Sequence, residues 1–584
     1  MMEARGPLCF WLAVGAIGFL LVPWYALQGN VFSFRWVAQV SASDAAPAVL
    51  QVFTHSRVWL APLGLLLAAG SALCAPRLSR TVRANALIAL GAAGAGWLFV
   101  QGFAIGPTGW YFEALSALLP PLTPGQNGMG LGAFLVVTSF AMLFSLGLAS
   151  RGYFKGDAFV AAGVVCVVAL VAVFTFFPVC RIFISALQDN NEAFSLAALP
   201  GRLFTEKIWG VGCLTGSTRC GVAWNTLVLA LLCAAGCTTL GLAFALIATR
   251  TDFTHKRILR VLTVLPIITP PFVIGLGLIL IFGRSGLANQ LVEHLFGWQL
   301  GRWIYGMQGV LLAQIFAFTP IAFLILIGVV EGVSPSMEEA AQTLRADRWR
   351  VFADVSLPLM RPGLANAFLI SFIESIADFG NPILLGGNFG VLSTEIFFSV
   401  VGAQLDQGRA ATLGIVLLIL ALAAFFLQRR VLGRKSYTAL AGKGDSGLPT
   451  RLPDAVRRTC YGLALPWALL TVVIYAMALV GGFVETWGRD YTFTLRHYVK
   501  AFGVEWTPQG ILWAGAAWNS FFTTITLSAI AAPITAAIGI LCAYLLTRHR
   551  FAGQNAFEFG TMLSFAIPGT VIGVSYILAF NVPP

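Results

Sequence analysis

The feature that most restricts this chain is the recurrence of apolar runs long enough to cross a bilayer. A helix needs about 20 apolar residues to span the hydrocarbon core. Inside that core its backbone N–H and C=O groups must be satisfied within the segment, which makes helix the default. Runs that meet this demand occupy 8–27, 58–75, 84–105, 129–150, 157–180, 222–249, 261–282, 306–333, 364–385, 410–427, 461–483, 514–547 and 557–580. The whole chain is 58% hydrophobic and only 10% charged, far from the roughly 25% charge of a soluble domain. The expected fold is therefore all-α, a polytopic transmembrane helical bundle.

Charge orients the bundle. If successive runs alternate sides, the N-terminus and segments 77–83, 151–155, 250–260, 334–362, 428–458 and 548–550 share one face and hold 24 of the 36 Lys and Arg residues. The positive-inside rule makes that face, and the N-terminus, cytoplasmic. The first run is long for a signal peptide and no small-x-small cleavage site follows, so it reads as an uncleaved first helix. The net charge of +12 comes in short clusters between runs, without the basic stripe and interleaved aromatics of a nucleic-acid surface, so nucleic acid is not an expected partner and lipid is.

Catalytic chemistry finds no foothold. The chain lacks GxxxxGK[ST], HExxH and any clustered nucleophile–base pattern, so no catalytic residue, metal site or cofactor is expected on it. The ten cysteines form no CxxC pair and no metal-ligand spacing. Most lie in apolar runs as small hydrophobes. Cys213 and Cys220 differ: both fall in the polar outer loop 181–221, beside Asp189, Glu192, Glu206, Lys207 and Arg219, where an oxidising compartment makes them a candidate disulfide.

An internal repeat divides the chain. "ALIATRTDF" (245–253) is similar to "AYLLTRHRF" (543–551), and "PPFVIGLGLILIF" (270–282) to "PGTVIGVSYILAF" (568–580), both at an offset of 298 residues. "WNTLVLA" at Trp224 and "WNSFFTT" at Trp518 match after a small length shift. The basic, Gly/Pro-containing stretch 427–458 reads as the connection between two copies of one bundle. The expected units are an extension of four spans (1–150), a first core (157–428) holding a polar loop at 334–362, a linker (429–458) and a second, incomplete core (459–584). A second polar loop would fall near position 637.

The polar loop is "SPSMEEAAQTLRADRWRVFADVSLPLMRPG", Ser334–Gly363. Ser334 can cap a helix with Pro335 in the first turn; alternatively Ser336 and Glu339 have capping-box spacing. A second short helix is expected from Asp347, with Trp349 and Phe352 on one face, stopping near Leu357–Pro358. On physical grounds alone, a helix pair lying on lipid headgroups is an equal reading.

The stretch "EEAAQTLRADRWRVFADVSLP" also resembles the EAA loop of permease subunits in binding-protein-dependent ABC importers. That pattern is Glu-Ala-Ala, a Gly four residues after the last Ala, and a hydrophobic-x-Leu-Pro beginning ten residues later. Glu339, Ala340 and Ala341 supply the first part, with Glu338 beside them, and Val355, Leu357 and Pro358 the last. The family glycine falls on Arg345. Left-handed geometry there costs a non-glycine roughly 1–2 kcal/mol, so either the turn differs or docking does.

The resemblance covers about 157–580. It implies two copies of a type I importer core in a bacterial inner (plasma) membrane, and alternating access driven by a cytoplasmic ATPase dimer that docks on this loop. It also implies a periplasmic substrate-binding protein, and ATP and Mg on the partner ATPase only.

The run after the loop, "FLISFIESIADFGNPILLGG" (368–387), looks like the ferric-iron permeases of the family, and permeases for thiamine, phosphonate and polyamines have similar segments. Glu374 and Asp378, four residues apart, share a helix face. Intramembrane carboxylates tend to face an interior pathway, so Glu374, Asp378 and Asn381 are candidates for the translocation path. An ion-coupled secondary transporter using the two acids without an ATPase is the competing class. Neighbouring serines or a helix end could equally satisfy the pair.

Overall fold

The computed structural model describes residues 5–27, 34–42, 45–74, 78–106, 109–110, 115, 117, 119, 128–188, 194–214, 220–298, 301–402, 405–432, 450–508 and 510–580. Among them, ten helices are long and apolar enough to cross a bilayer. The all-α expectation holds for these. The first two runs form shorter helices, Gly6–Leu20 and Val58–Ala72, and three two-stranded antiparallel hairpins stand in the connections.

Two compact units are distinguished by their internal contacts. In the first, helices Arg5–Leu20, Ala61–Ala72, Arg80–Ala104 and Leu131–Ser150 enclose Leu8, Leu60, Leu63, Phe140 and Leu143. Small residues permit the approach: a Cβ on Gly94 would sit 2.4 Å from the Phe140 ring, and apposed helices in lipid favour such glycines. A separate cluster in this unit joins Val160, Val164 and Val167 to Leu545 and Phe557.

The second unit is built round helix Val222–Arg250. Helices Met307–Glu331 and Leu357–Ala377 pack on it and on each other. A Cβ on Gly241 would lie 2.9 Å from the Phe323 nitrogen, and one on Gly363 would lie 2.3 Å from Val329. Leu357–Ala377 in turn meets Gln407–Leu432. Helix Asp454–Val480 packs on Val222–Arg250 and Pro271–Phe282, with Trp467 stacked on Phe316 at 3.9 Å. Helix Phe177–Ala186 packs on Gly569–Phe580 and Gln407–Leu432.

Two of the expected spans are broken. The run 261–282 divides into Lys256–Ile268 and Pro271–Phe282, because Thr269 precedes Pro270 and is extended at φ −92°, ψ 132°; a residue before proline avoids the helical region. The run 364–385 breaks at Asp378, and Gly380–Leu385 forms a new short helix. Helix bounds repeat at the spacing seen in the sequence: Lys256–Ile268 and Gln554–Ala566, then Pro271–Phe282 and Gly569–Phe580, each 298 residues apart. Helices Gln407–Leu432 and Asp454–Val480 extend into the expected linker, and 433–449 lies outside the described residues.

Candidate functional site

The polar loop begins with helix Pro335–Thr343, with Ser334 at its N-cap and Pro335 at its first position. Ser334 Oγ is turned to Ser336 Oγ at 2.8 Å. The helix ends in a turn where the Arg345 N–H reaches the Gln342 carbonyl (2.9 Å) and the Ala346 N–H reaches the Ala341 carbonyl (3.1 Å). This paired pattern closes a helix on a left-handed residue, and Arg345 has φ +62°. The turn that glycine would favour is therefore formed by arginine.

Asp347 then caps the next turn, accepting from the Arg350 N–H at 2.8 Å. The second helix does not stop at Leu357–Pro358 as expected. A wider π turn over Val351–Ser356 carries it straight into Leu357–Ala377. The π turn lies just before Pro358, where an α-helix would clash with the ring and lack its N–H.

Glu338 and Glu339 have opposite settings. Glu339 and Ala340 are exposed, Ala341, Val355, Leu357 and Pro358 are half-buried, and Leu344 is 84% exposed. Glu338 is 1% exposed. Its carboxylate accepts from Arg250 Nη1 at 2.6 and 2.8 Å, from Ser356 Oγ at 2.6 Å and from the Thr450 N–H at 2.9 Å. Arg250 Nη2 also reaches the Val330 carbonyl at 3.3 Å. A buried ion pair persists only when such added bonds satisfy it, and removing one partner costs about 3–5 kcal/mol.

Arg250, Ser356 and Thr450 were not picked out from the sequence as parts of this site. The available signal was the Thr-Arg pair, kept at 249–250 and 547–548 and read only as a marker of the repeat. An arginine retained at the end of an apolar helix calls for a carboxylate.

The second candidate region is the break after Ala377. Asp378 Oδ2 accepts from Gln314 Nε2 (3.0 Å) and Asn381 Nδ2 (2.9 Å), and Oδ1 lies 3.4 Å from the Asn381 N–H. Ser393 Oγ donates to the Asp378 carbonyl at 2.7 Å, and Ser375 Oγ donates to Gln314 Oε1 at 2.7 Å. Asp378 thus ends one helix, reaches the first turn of the next and ties both to the 307–331 helix. Gly380, Asn381 and Pro382 follow the break and open the next helix, where a missing proline N–H costs nothing. Glu374, half-buried one turn earlier, makes no hydrogen bond or ion pair to a described residue. Asp378 and Asn381 are therefore brought together, and Glu374 stands apart from their bonds.

In the loop 181–221, a disulfide joins Cys213 and Cys220, with Cα atoms 4.9 Å apart. Glu206 and Lys207 lie on helix Glu206–Trp209, whereas Asp189, Glu192 and Arg219 lie outside the described residues. No group of three or more His, Cys, Asp or Glu converges as a metal site among the described residues.

Comparison with known proteins gives a consistent pattern. The model of a binding-protein-dependent transport system inner membrane component matches residues 238–437. A putative ferric transport system permease protein of Haemophilus influenzae is 41% identical over 476 residues, covering 81% of this chain and 72% of that protein. A ferric transport system permease protein of Actinobacillus pleuropneumoniae is 40% identical over 456 residues, or 78% of this chain and 64% of that one. A putative 2-aminoethylphosphonate transport system permease protein of Salmonella choleraesuis is 29% identical over 216 residues, or 37% of this chain and 76% of that one.

Proposed function

We propose, from the premise that this chain belongs to the family of binding-protein-dependent transport system inner membrane components, that it is the permease of a ferric-iron importer. It is a multi-pass membrane transport component rather than an enzyme. Identity of 41% along four-fifths of the chain to a putative ferric permease carries the choice of cargo over thiamine, phosphonate or a polyamine, and over the ion-coupled secondary transporter.

The polar loop is the proposed dock for a cytoplasmic ATPase dimer, which holds the ATP and Mg. The supporting observation is its surface. Leu344 (84% exposed) and Trp349 (54% exposed) stand beside exposed Glu339, Ala340 and Arg345, while Glu338 anchors the helix from beneath. Large apolar side chains held out on a rigid turn mark a protein contact. The turn at Arg345 has the left-handed geometry that a glycine would give, which supports docking in the family manner.

The two copies, the four-span extension and the N-terminus on the cytoplasmic side belong to the same proposal. The helix bounds repeated at 298 residues support the duplication. A periplasmic binding protein would deliver iron at the opposite face. Of the two intramembrane acids, Asp378 is committed to its bonds with Gln314 and Asn381, so Glu374 is the carboxylate left to meet a passing cation.

The test is reconstitution. Permease, ATPase and binding protein in liposomes should take up ferric iron only with ATP, and Glu339→Lys should release the ATPase on purification. Uptake that persists without any ATPase would establish the secondary transporter instead. Uptake of 2-aminoethylphosphonate but not iron would change the cargo and leave the machine intact.

A further inference from the structure

Glu338 binds a segment outside the loop. Its Oε2 accepts the backbone N–H of Thr450 at 2.9 Å. Thr450 Oγ1 accepts from Gln342 Nε2 at 2.8 Å, on the same short helix. Arg451 pairs with Asp252 at 3.3 Å, Leu452 is buried, and Pro453 is the N-cap of helix Asp454–Val480. Three consecutive residues thus tie the start of that helix to the loop and to the end of Val222–Arg250. The same helix is anchored deeper by Trp467 on Phe316 and by Tyr461 beside Phe253 at 5.9 Å.

We propose that Thr450–Pro453 is a coupling strap. Held by Glu338, it moves as one body with helix Pro335–Thr343 and passes that motion to helix Asp454–Val480. Glu338 and Arg250 are its positioning residues, since they would touch neither ATP nor cargo. The inference rests on the loop being the ATPase dock. The physical reason is connectivity. A buried carboxylate that accepts from three separate elements cannot let one shift without the others unless one of its oxygens loses a hydrogen bond or, at Arg250, its charge partner. Pro453 adds stiffness at the junction, because its φ is fixed. Force entering at the exposed face of the loop therefore has a short, polar route into the helix that opens the second half of the chain.

The test uses the full permease–ATPase–binding-protein system in liposomes and reads iron transported per ATP hydrolysed. Partial loss of folded protein lowers both rates together and leaves that ratio unchanged. Thr450→Pro removes the donor and leaves the exposed docking face intact. It should keep the ATPase bound and hydrolysing while the ratio falls about tenfold, the upper range for a disrupted coupling contact. Glu338→Gln should act in the same direction.

Gln342→Cys with Thr450→Cys, joined by a short thiol-to-thiol crosslinker, provides the converse. Crosslinked and uncrosslinked forms should transport alike, with Gln342→Cys alone as the reagent control. A Thr450→Pro ratio equal to that of the unmodified chain, or transport abolished by the crosslink, overturns the strap. Glu339→Lys separates the two ideas. If it leaves the ATPase bound, the docking reading fails. If it releases the ATPase while Thr450→Pro changes nothing, only the strap fails.

Discussion

Helices Val222–Arg250 and Trp518–Arg548 are alike in length, apolarity and ending, and opposites in setting. They have 29 and 31 residues, the same mean hydropathy of 2.2, and both end on Thr-Arg. Half of the most apolar stretch of the first is buried, against 6% of the second. The first is covered by helices 307–331 and 357–377. Hydropathy commits a segment to lipid, and partners alone decide what it packs against. Gly241 shows this at one residue. A Cβ there would strike the 307–331 backbone, whereas at Gly539, its counterpart 298 residues on, a Cβ would meet nothing within 4 Å.

The comparison can be broken most forcefully at the arginines. Arg250→Ala leaves Glu338 buried without its cation and should cost about 3–5 kcal/mol, whereas the exposed Arg548→Ala should stay within about 0.5 kcal/mol. Thermal unfolding in detergent reads both, and equal losses would dissolve the contrast. Next in size come the glycines. Gly241→Leu overpacks a close helix crossing and should cost about 1–3 kcal/mol, while Gly539→Leu should leave the melting temperature in place. Smallest is the turn. Arg345→Gly relieves left-handed strain and should stabilise the loop by about 1 kcal/mol, seen as slower hydrogen exchange in 335–346.

Much of this was legible in the sequence because lipid leaves few choices. Length and apolarity mark the spans, and Glu339, Ala340 and Ala341 mark the loop. The breaks at Thr269 and Asp378 were less legible. An apolar run reads the same whether the backbone is continuous or interrupted, and the signal lay in Pro270–Pro271 and in Gly380-Asn381-Pro382. The separate fates of Glu338 and Glu339 were hidden as well. Adjacent acids on a helix point about 100° apart, and which one finds an arginine 88 residues earlier is settled by tertiary packing.

The arginine at position 345 carries a further consequence. Helix Pro335–Thr343 has no basic residue in its last turn, so its aligned peptide dipoles end as a partial negative charge that no side chain of the helix answers. Arg345 places a permanent cation just beyond that end. Such a charge contributes about 0.3–1 kcal/mol, which offsets part of the conformational strain of the turn. Glycine at this position would relax the backbone and give up that electrostatic gain, lysine would keep it, and glutamate would combine the strain with repulsion.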